Sequence, residues 1–475
     1  MIKEYERCLF CAGENCSKAC KKGGAPAKFI RSLYFGNITD INADCQSCET
    51  VDCESACLRG KIDYPVHIKK LAKYSAVLKI RPKVSLETTF CGVKCENPFF
   101  LSSSVVASDY EMCARALKMG WGGIVYKTIG LGEIKDVSPR FGQLSAGSLK
   151  GFRNLEQISD KPADVDFDIL RRLKKDFPEK VVVVSIMGQN EAEWAYLAKK
   201  SEEIGADIIE LNFSCPHMSA EKMGSDVGTD LELVKAFTAA VKAATSLPIL
   251  AKMTPNITDI TEPAKAAMEG GATGIAAINT IKSLTGFLSA PDMIDHKTAV
   301  SGYSGRNVKP LALRFICDIA KALPGTPISG MGGIENYKDA AEFMALGCGN
   351  VQITTAVMEY GYRIIDDLKL GLSEYLFSLG YENLSDFVGS SLQNITSADE
   401  LDRETIVYPL FDEEKCVGCG RCYISCRDGG HDAIIFNEVP KLLGSKCVGC
   451  HLCRLICPVG AVASSKRVTK KVPLN

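Results

Sequence analysis

The sequence predicts an α/β protein: a TIM (β/α)8 barrel with a cysteine-rich module at each end. Three observations predict it. From about residue 97, eight strand-like segments alternate with amphipathic ones over roughly 280 residues. Polar residues gather at the C-terminal ends of those strands, where a barrel keeps its active site. Sixteen of the 22 cysteines fall into four quartets, eight near each terminus. The expected boundaries are 1–80 and 401–475 for the two modules and 81–400 for the barrel. A doubly wound sheet is the alternative arrangement of the same alternation.

The 475 residues fit about three domains by length. With 46% apolar and 24% charged residues, the chain reads as globular and able to bury a large core. A net charge of −1 supplies no broad field for nucleic acid or an anionic membrane, and the basic run SSKRVTKK near the C-terminus reads as a solvated tail. The opening MIKEYERCLF lacks the apolar stretch of a secretory signal, and runs such as VVVV at 181–184 are far too short to cross a bilayer. The expected setting is cytoplasmic, where thiols stay reduced, so the cysteines need an explanation other than disulfides.

Near the C-terminus, Cys416, Cys419, Cys422 and Cys426, then Cys447, Cys450, Cys453 and Cys457, repeat the spacing C-x2-C-x2-C-x3-C, with Pro458 following. This is the two-cluster ferredoxin pattern, in which the fourth cysteine of each run ligates the other cluster. One 4Fe–4S cluster would use Cys416, Cys419, Cys422 and Cys457, and the other Cys447, Cys450, Cys453 and Cys426. Zinc does not explain the doubled tight triplet. At the N-terminus, Cys8, Cys11, Cys16 and Cys20 form C-x2-C-x4-C-x3-C, and Cys45, Cys48, Cys53 and Cys57 repeat it. Spacing alone leaves zinc open there. Two further 4Fe–4S clusters suit a chain that already carries two electron-transfer centres.

Six cysteines remain. Cys113 and Cys317 lie in helical patterns and read as small buried hydrophobes. Cys348 is left without an assignment, and Cys91 and Cys95 fall in TTFCGVKCENP, a candidate β-hairpin with bystander thiols. Cys215, in NFSCPH, is thus outside the metal accounting; it is either a core thiol or the group that does the chemistry.

The barrel strands are expected at 98–103, 123–128, 181–187, 207–213, 248–253, 274–279, 326–329 and 350–354. Ser108 and Glu111 predict a capping box for the first barrel helix and Gly120 its end; Asn190 and Glu193 open another helix, which Gly205 closes. The strand ends carry Lys127 and Thr128, then Asn212 and Ser214, Lys252, Asn279 and Thr280, Gly332 and Gly333, and Thr354 and Thr355. Glycines after strand seven and hydroxyls at strand eight, with Ser304 and Gly305, suit a phosphate. A phosphate cradle, two strand-end lysines and one-electron centres together point to FMN, which converts between single electrons and pairs. No G-x-G-x-x-G follows a strand and opens a helix, so electrons are expected from a separate donor rather than a Rossmann unit. Asn154, Asn212, Asn279 and Thr280 offer the paired donors and acceptors that a pyrimidine dione ring presents in return. Cys215 would stand beside it as proton donor or acceptor, carried by a lid over 216–228.

The motifs NFSCPH, AKMTPN, AAINT, SGYSG, GMGGIE and CVGCGRCYISC resemble those of the dihydropyrimidine dehydrogenase family, in particular its bacterial PreA-type subunits, from about residue 82 to near the end. The resemblance implies an FMN barrel of the dihydroorotate dehydrogenase type followed by a ferredoxin-like domain with two 4Fe–4S clusters. It implies reversible reduction of the C5–C6 bond of uracil or thymine, with hydride passing from reduced FMN to C6 and a proton from Cys215 to C5. It places substrate contacts on Asn154, Asn212, Ser214, Asn279 and Thr280. It places flavin contacts on Ser103, Lys127, Thr128, Lys252, Gly305, Gly332, Gly333, Thr354 and Thr355. The first 75 or so residues resemble the helical two-cluster domain of the long dihydropyrimidine dehydrogenases and of the glutamate synthase small subunit.

The chain departs from both patterns. The FAD and NADPH domains of the long enzymes are missing, and PreA-type subunits usually lack the N-terminal module. The glutamine that ligates a cluster in the long enzymes falls on Ala72, so Cys45 would substitute, giving Cys20, Cys45, Cys48 and Cys53, with Cys57 joining Cys8, Cys11 and Cys16. The donor is left between an NAD(P)H–FAD subunit and a free ferredoxin or flavodoxin; a homodimer or a hetero-oligomer is expected. Three other readings stand beside this one: a dihydroorotate dehydrogenase, a reductase of another cyclic amide or enone, and a non-catalytic electron-transfer subunit. His217, where dihydroorotate dehydrogenases usually have Asn, favours an uncharged pyrimidine.

Overall fold

Segments such as VVVV (181–184) are β-branched and apolar on both faces, the pattern of a parallel strand covered by helices. In the computed structural model, which describes residues 4–37, 45, 48–74, 84–146, 149–214, 224–284 and 299–470, eight such strands close into a parallel barrel. In chain order the strands of this region are β1 (Thr88–Phe90), β2 (Val93–Cys95), β3 (Phe99–Leu101), β4 (Gly123–Ile129), β5 (Phe141–Ala146), β6 (Leu149–Asn154), β7 (Val181–Ile186), β8 (Ile208–Asn212), β9 (Ile249–Lys252), β10 (Gly274–Ala277), β11 (Ile281–Ser283), β12 (Ser301–Ser304), β13 (Ile328–Met331) and β14 (Cys348–Ile353). The barrel runs β3-β4-β7-β8-β9-β10-β13-β14 and closes back on β3. All eight expected strands are present, and closure rules out the doubly wound sheet.

The boundaries differ in a regular way. Expected strands that began at Pro98, Pro248 and near Pro327 begin instead at Phe99, Ile249 and Ile328. Proline has no N–H to give a ladder, so it precedes the strand instead of joining it. The first barrel helix, Tyr110–Lys118, is capped by Asp109, whose carboxylate accepts from Met112 N at 2.8 Å. The expected Ser108 cap is therefore corrected by one residue: Ser108 Oγ donates to Val105 O at 3.1 Å. Asn190 does cap the helix Glu191–Glu203, and Gly120 and Gly205 follow their helices with φ of 101° and 81°.

The barrel interior is layered. Its floor is apolar: Phe100, Val125, Val183, Ile208 and Leu250 pack with Phe90, Cys91 and Cys95 of the β1–β2 hairpin. The expected hairpin is thus found, antiparallel, with Phe90 opposite Val93. Burial pushes the Cys91 thiol up to about 12 and Cys95 to about 11, as inert core thiols require. Cys113, Cys317 and Cys348 are buried as well. Two residues further along the same strands the interior turns polar, with Lys127, Ser185, Glu210 and Lys252. Outward-facing residues of the strands meet the helices in the main core, which includes Trp121, Trp194 and Phe343 at 0–1% exposure.

A four-stranded antiparallel sheet, β11-β12-β6-β5, lies outside the expectations. It pairs excursions after β4 and β10, with Asn154 of β6 opposite Gly302 of β12.

The chain forms two compact units, 1–392 and 393–475. The first contains both the barrel and the N-terminal cysteine segment. There, short helices (Asn15–Lys18, Pro26–Tyr34, Asp52–Ser55 and Ile68–Tyr74) surround Phe29, Ile30, Val66, Ile68 and Ala72, against which Cys8, Cys16, Cys45, Cys53 and Cys57 pack. The second unit has a small core of Cys422, Ile434, Cys453 and Val462 and two antiparallel strand pairs, the long-range pair Pro409–Phe411 with Val462–Ser464 and the hairpin Ile434–Asn437 with Val439–Leu442. Its two cysteine loops share a backbone: Gly418 and Gly420 in one, Gly449 and His451 in the other, all have φ between 57° and 71°. Such left-handed turns let successive amides face inward.

Candidate active site and cluster sites

The C-terminal ends of the barrel strands open into one cavity. All nine expected flavin residues line it, as do Asn154, Asn212, Asn279 and Thr280. Ser214 stands just behind them: its Oγ donates to Asn212 Oδ1 at 2.9 Å and accepts from Asn279 Nδ2 at 2.7 Å. Asn212 Nδ2 donates in turn to Thr128 Oγ1 at 2.9 Å, and Ser103 Oγ lies 3.0 Å from the same oxygen. Asn154 reaches the cavity only because β6 pairs with β12. Gly302 is required at that crossing, since a Cβ there would stand 2.5 Å from Thr280 Oγ1. Cys215 and residues 216–223 of the expected lid lie outside the described residues. The end of that segment, Gly224–Thr229, is a 3-10 helix with Val227 buried.

At one end of the cavity Gly305, Gly332 and Gly333 have φ of 100°, 121° and 83°. A Cβ on Gly333 would meet Lys309 at 2.9 Å and Gly305 O at 3.0 Å, so the chain segments close to a distance only glycine permits. Ser104 and Thr354 hydroxyls pair at 3.0 Å, and Thr355 and Ser304 at 3.3 Å. Small hydroxyls and bare backbone at one end and a polar floor at the other suit a phosphorylated ring system. Gln352 Oε1 is buried without a partner and belongs to the cavity lining, an acceptor left for a ring N–H.

Both cavity lysines are paired. Lys127 Nζ meets Glu156 Oε1 at 2.5 Å, and Arg140 Nε lies 3.2 Å from Oε2. Lys252 Nζ lies 3.3 Å from Glu210 Oε1. Neither glutamate was singled out from the sequence. Glu210 had a signal, a charge at the interior-facing position of the apolar strand IIELN. Glu156 had none beyond its place two residues after Asn154.

The cysteines sort by cavity. Cys8, Cys11, Cys16 and Cys57 line one, with Arg363 at its rim. Burial first, then the Cys8 and Cys57 sulfurs, pushes Cys16 up to about 11. Cys53 is raised to about 11 by burial, with smaller contributions from Glu54, Cys20 and Cys48. In the C-terminal unit Cys416, Cys419, Cys422 and Cys457 line a second such cavity, and burial raises Cys447, with Cys426 and Cys450 adding to it. In each of these two cavities four thiols line one enclosed space, which fits a polynuclear cluster.

Residues 85–376 match the dihydroorotate dehydrogenase family, and residues 410–463 match a 4Fe-4S dicluster domain. The NAD-dependent dihydropyrimidine dehydrogenase subunit PreA of Escherichia coli K12 is 52% identical over 399 residues, which cover 81% of this chain and 97% of PreA. The chain belongs to the dihydropyrimidine dehydrogenase family. The chloroplastic dihydropyrimidine dehydrogenase (NADP(+)) of Arabidopsis thaliana is 36% identical, over 69% of this chain and 82% of that one. The catalytic subunit of dihydroorotate dehydrogenase B (NAD(+)) from Pyrococcus horikoshii is 39% identical, over 66% and 99%. A solved dihydroorotate dehydrogenase from Eimeria tenella, in complex with ferulenol, shares the fold at a TM-score of 0.55 and 20% identity, over 66% of this chain and 91% of that one. As a dihydropyrimidine dehydrogenase homologue, the chain combines a flavin-type barrel with an iron–sulfur electron-transfer domain. No helix among its described residues is long and apolar enough to cross a membrane.

Proposed function

We propose that this chain reduces, or in reverse oxidises, the C5–C6 bond of uracil or thymine, as a cytoplasmic oxidoreductase fed by a separate electron donor. The observation that carries the reading is the convergence of the amide and hydroxyl set, Asn154, Asn212, Asn279 and Thr280, on the cavity that also holds the glycine cradle and both lysines. Gly305, Gly332, Gly333, Thr354 and Thr355 would hold the phosphate of FMN, and Ser103, Thr128, Lys127 and Lys252 its ring. A flavin bound there supplies hydride chemistry at the pyrimidine C6 and the conversion between single electrons and pairs.

The chain's own residues do the rest. The asparagine amides and Thr280 orient the dione by matching its N–H and C=O groups. Ser214 locks two of those amides against each other, which preserves their orientation at no reorganisation cost. Cys215 holds the proton for C5 on its Sγ, one residue beyond this lock. Both cavity lysines are already neutralised by Glu156 and Glu210, which leaves little for the carboxylate of orotate to pair with. That favours an uncharged pyrimidine over dihydroorotate.

Cys8, Cys11, Cys16 and Cys57 would hold one 4Fe–4S cluster and Cys20, Cys45, Cys48 and Cys53 a second. Cys416, Cys419, Cys422 and Cys457, then Cys426, Cys447, Cys450 and Cys453, would hold two more. The test is anaerobic purification with iron, sulfide and flavin analysis, then dithionite-driven turnover of uracil, thymine and orotate side by side. Reduction of uracil or thymine with orotate inert is expected; orotate as the preferred substrate, or no bound FMN, defeats the proposal.

A further inference from the structure

The polar layer of the barrel contains a carboxylate to which the chemistry above gives no part beyond its pairing with Lys252. Glu210 is wholly buried, at 0% exposure, on β8 two residues before Asn212. Its Oε1 accepts from Ser185 Oγ at 3.1 Å and lies 3.3 Å from Lys252 Nζ; its Oε2 accepts from Gln352 Nε2 at 3.0 Å. The partners come from β7, β9 and β14, so the glutamate ties three strands together at one depth. Lys252 and Gln352 both line the flavin cavity, whereas Glu210 does not. Taking a carboxylate fully out of water is costly unless its charge is matched and its oxygens are bonded. Here both conditions are met, and both are met by groups that face the cofactor.

We propose that Glu210 is a positioning residue that sets the redox balance of the flavin through Lys252. The inference rests on the FMN reading above. An ammonium group beside the ring favours the negative charge gained on reduction. A carboxylate 3.3 Å from that ammonium offsets part of its field, so the flavin is less easily reduced, and a stronger hydride donor once reduced, than an unpaired lysine would make it. The same carboxylate occupies the Gln352 amide N–H and so fixes Gln352 Oε1, which has no other partner, as the acceptor left to the cavity. One buried charge thus orients two groups on the flavin side while touching nothing there itself.

The test is the midpoint potential of bound FMN in the full-length holoprotein, measured spectroscopically at neutral pH. Glu210→Gln is expected to retain FMN and to shift the potential to more positive values. Glu210→Asp, which draws the carboxylate back by one methylene, should shift it less in the same direction, and it carries the test if the Gln variant does not fold. In a Lys252→Gln background, Glu210→Gln should shift the potential less, because only the carboxylate's direct field is then removed and not its hold on the lysine. An unchanged or more negative potential in Glu210→Gln overturns the proposal, as does an equal shift in the Lys252→Gln background. A wild-type chain that binds no FMN overturns the flavin reading and this proposal together, so the two failures are told apart.

Discussion

Arg31 Nε donates to Asp367 Oδ2 at 2.5 Å, with both side chains buried, and this pair fastens the N-terminal cysteine segment to the helix Ile364–Ser378 on the barrel. Ser32 Oγ donates to Asp367 Oδ1 at 2.6 Å, and Asn37 Nδ2 donates to the Asp367 carbonyl at 2.9 Å. Nearby, Phe10, Tyr34, Phe35 and Tyr360 form an edge-to-face aromatic set, and the hydroxyls of Tyr34 and Tyr360 lie 3.0 Å apart. Removing one partner of such a pair strands the other charge. Asp367→Ala should cost about 3–5 kcal/mol of stability, read as a lower midpoint in thermal or denaturant unfolding. A loss near zero would mean that this contact does not hold the module.

The cysteine assignments predict which centres vanish together. Cys57→Ser should remove the cluster of Cys8, Cys11 and Cys16 and spare the one on Cys20, Cys45, Cys48 and Cys53. Cys457→Ser should do the same for the cluster of Cys416, Cys419 and Cys422. Each variant should lose about four of about sixteen irons per chain, checked by iron analysis and by the loss of one electron paramagnetic resonance signal. Full iron content in Cys57→Ser would refute the crossed pairing at the N-terminus.

Cys215→Ala should cut pyrimidine turnover by about 10²–10⁴-fold, the usual worth of a positioned proton donor, with flavin and iron content unchanged. Intact turnover would instead favour a subunit that only carries electrons.

Glu335 gives the cavity a pH dependence. Burial raises its carboxyl to about 7, with Arg306 opposing and Glu359 reinforcing the shift. It lines the same end of the cavity as Gly305 and Gly333. Because the folded state holds this proton to higher pH than the unfolded chain does, the folded state binds more protons between about 4.5 and 7. The contribution of this group to stability therefore declines as pH rises through that window. A negative charge appearing beside a phosphate site should also weaken FMN retention above neutrality, by at most about tenfold per pH unit for one carboxyl. Equilibrium dialysis of FMN against wild type and Glu335→Gln checks this: the variant should bind with a flatter pH profile. Parallel profiles would remove Glu335 from the account.

Much of this architecture could be read from local pattern. Residues 181–184 are apolar on both faces whatever surrounds them, and a strand that must be covered twice implies a barrel or a doubly wound sheet. The tight cysteine triplets carry their meaning in the chain itself, because most ligands of such a cluster arrive on one short loop. The strand-end asparagines, lysines and glycines were legible for the same reason: a barrel places successive strand ends on one face. What escaped was decided by pairing at a distance. The β5-β6-β12-β11 sheet joins segments some 150 residues apart, and no local periodicity announces which edge will meet which. The partners of Lys127 and Lys252 were hidden likewise, since Glu156 and Glu210 become neighbours of those lysines only when the strands close.

The sequence by itself determined that paired cysteine quartets flank an eight-stranded α/β barrel, with the C-terminal quartets in the two-cluster ferredoxin spacing, because those properties follow from residue type and spacing. Only the tertiary structure decided which thiols share a cavity, how the first module is fixed to the barrel, and that both cavity lysines stand against carboxylates. Those are matters of distance between groups far apart in the chain, and electrostatic and hydrogen-bond energies depend on that distance, which spacing in sequence does not encode.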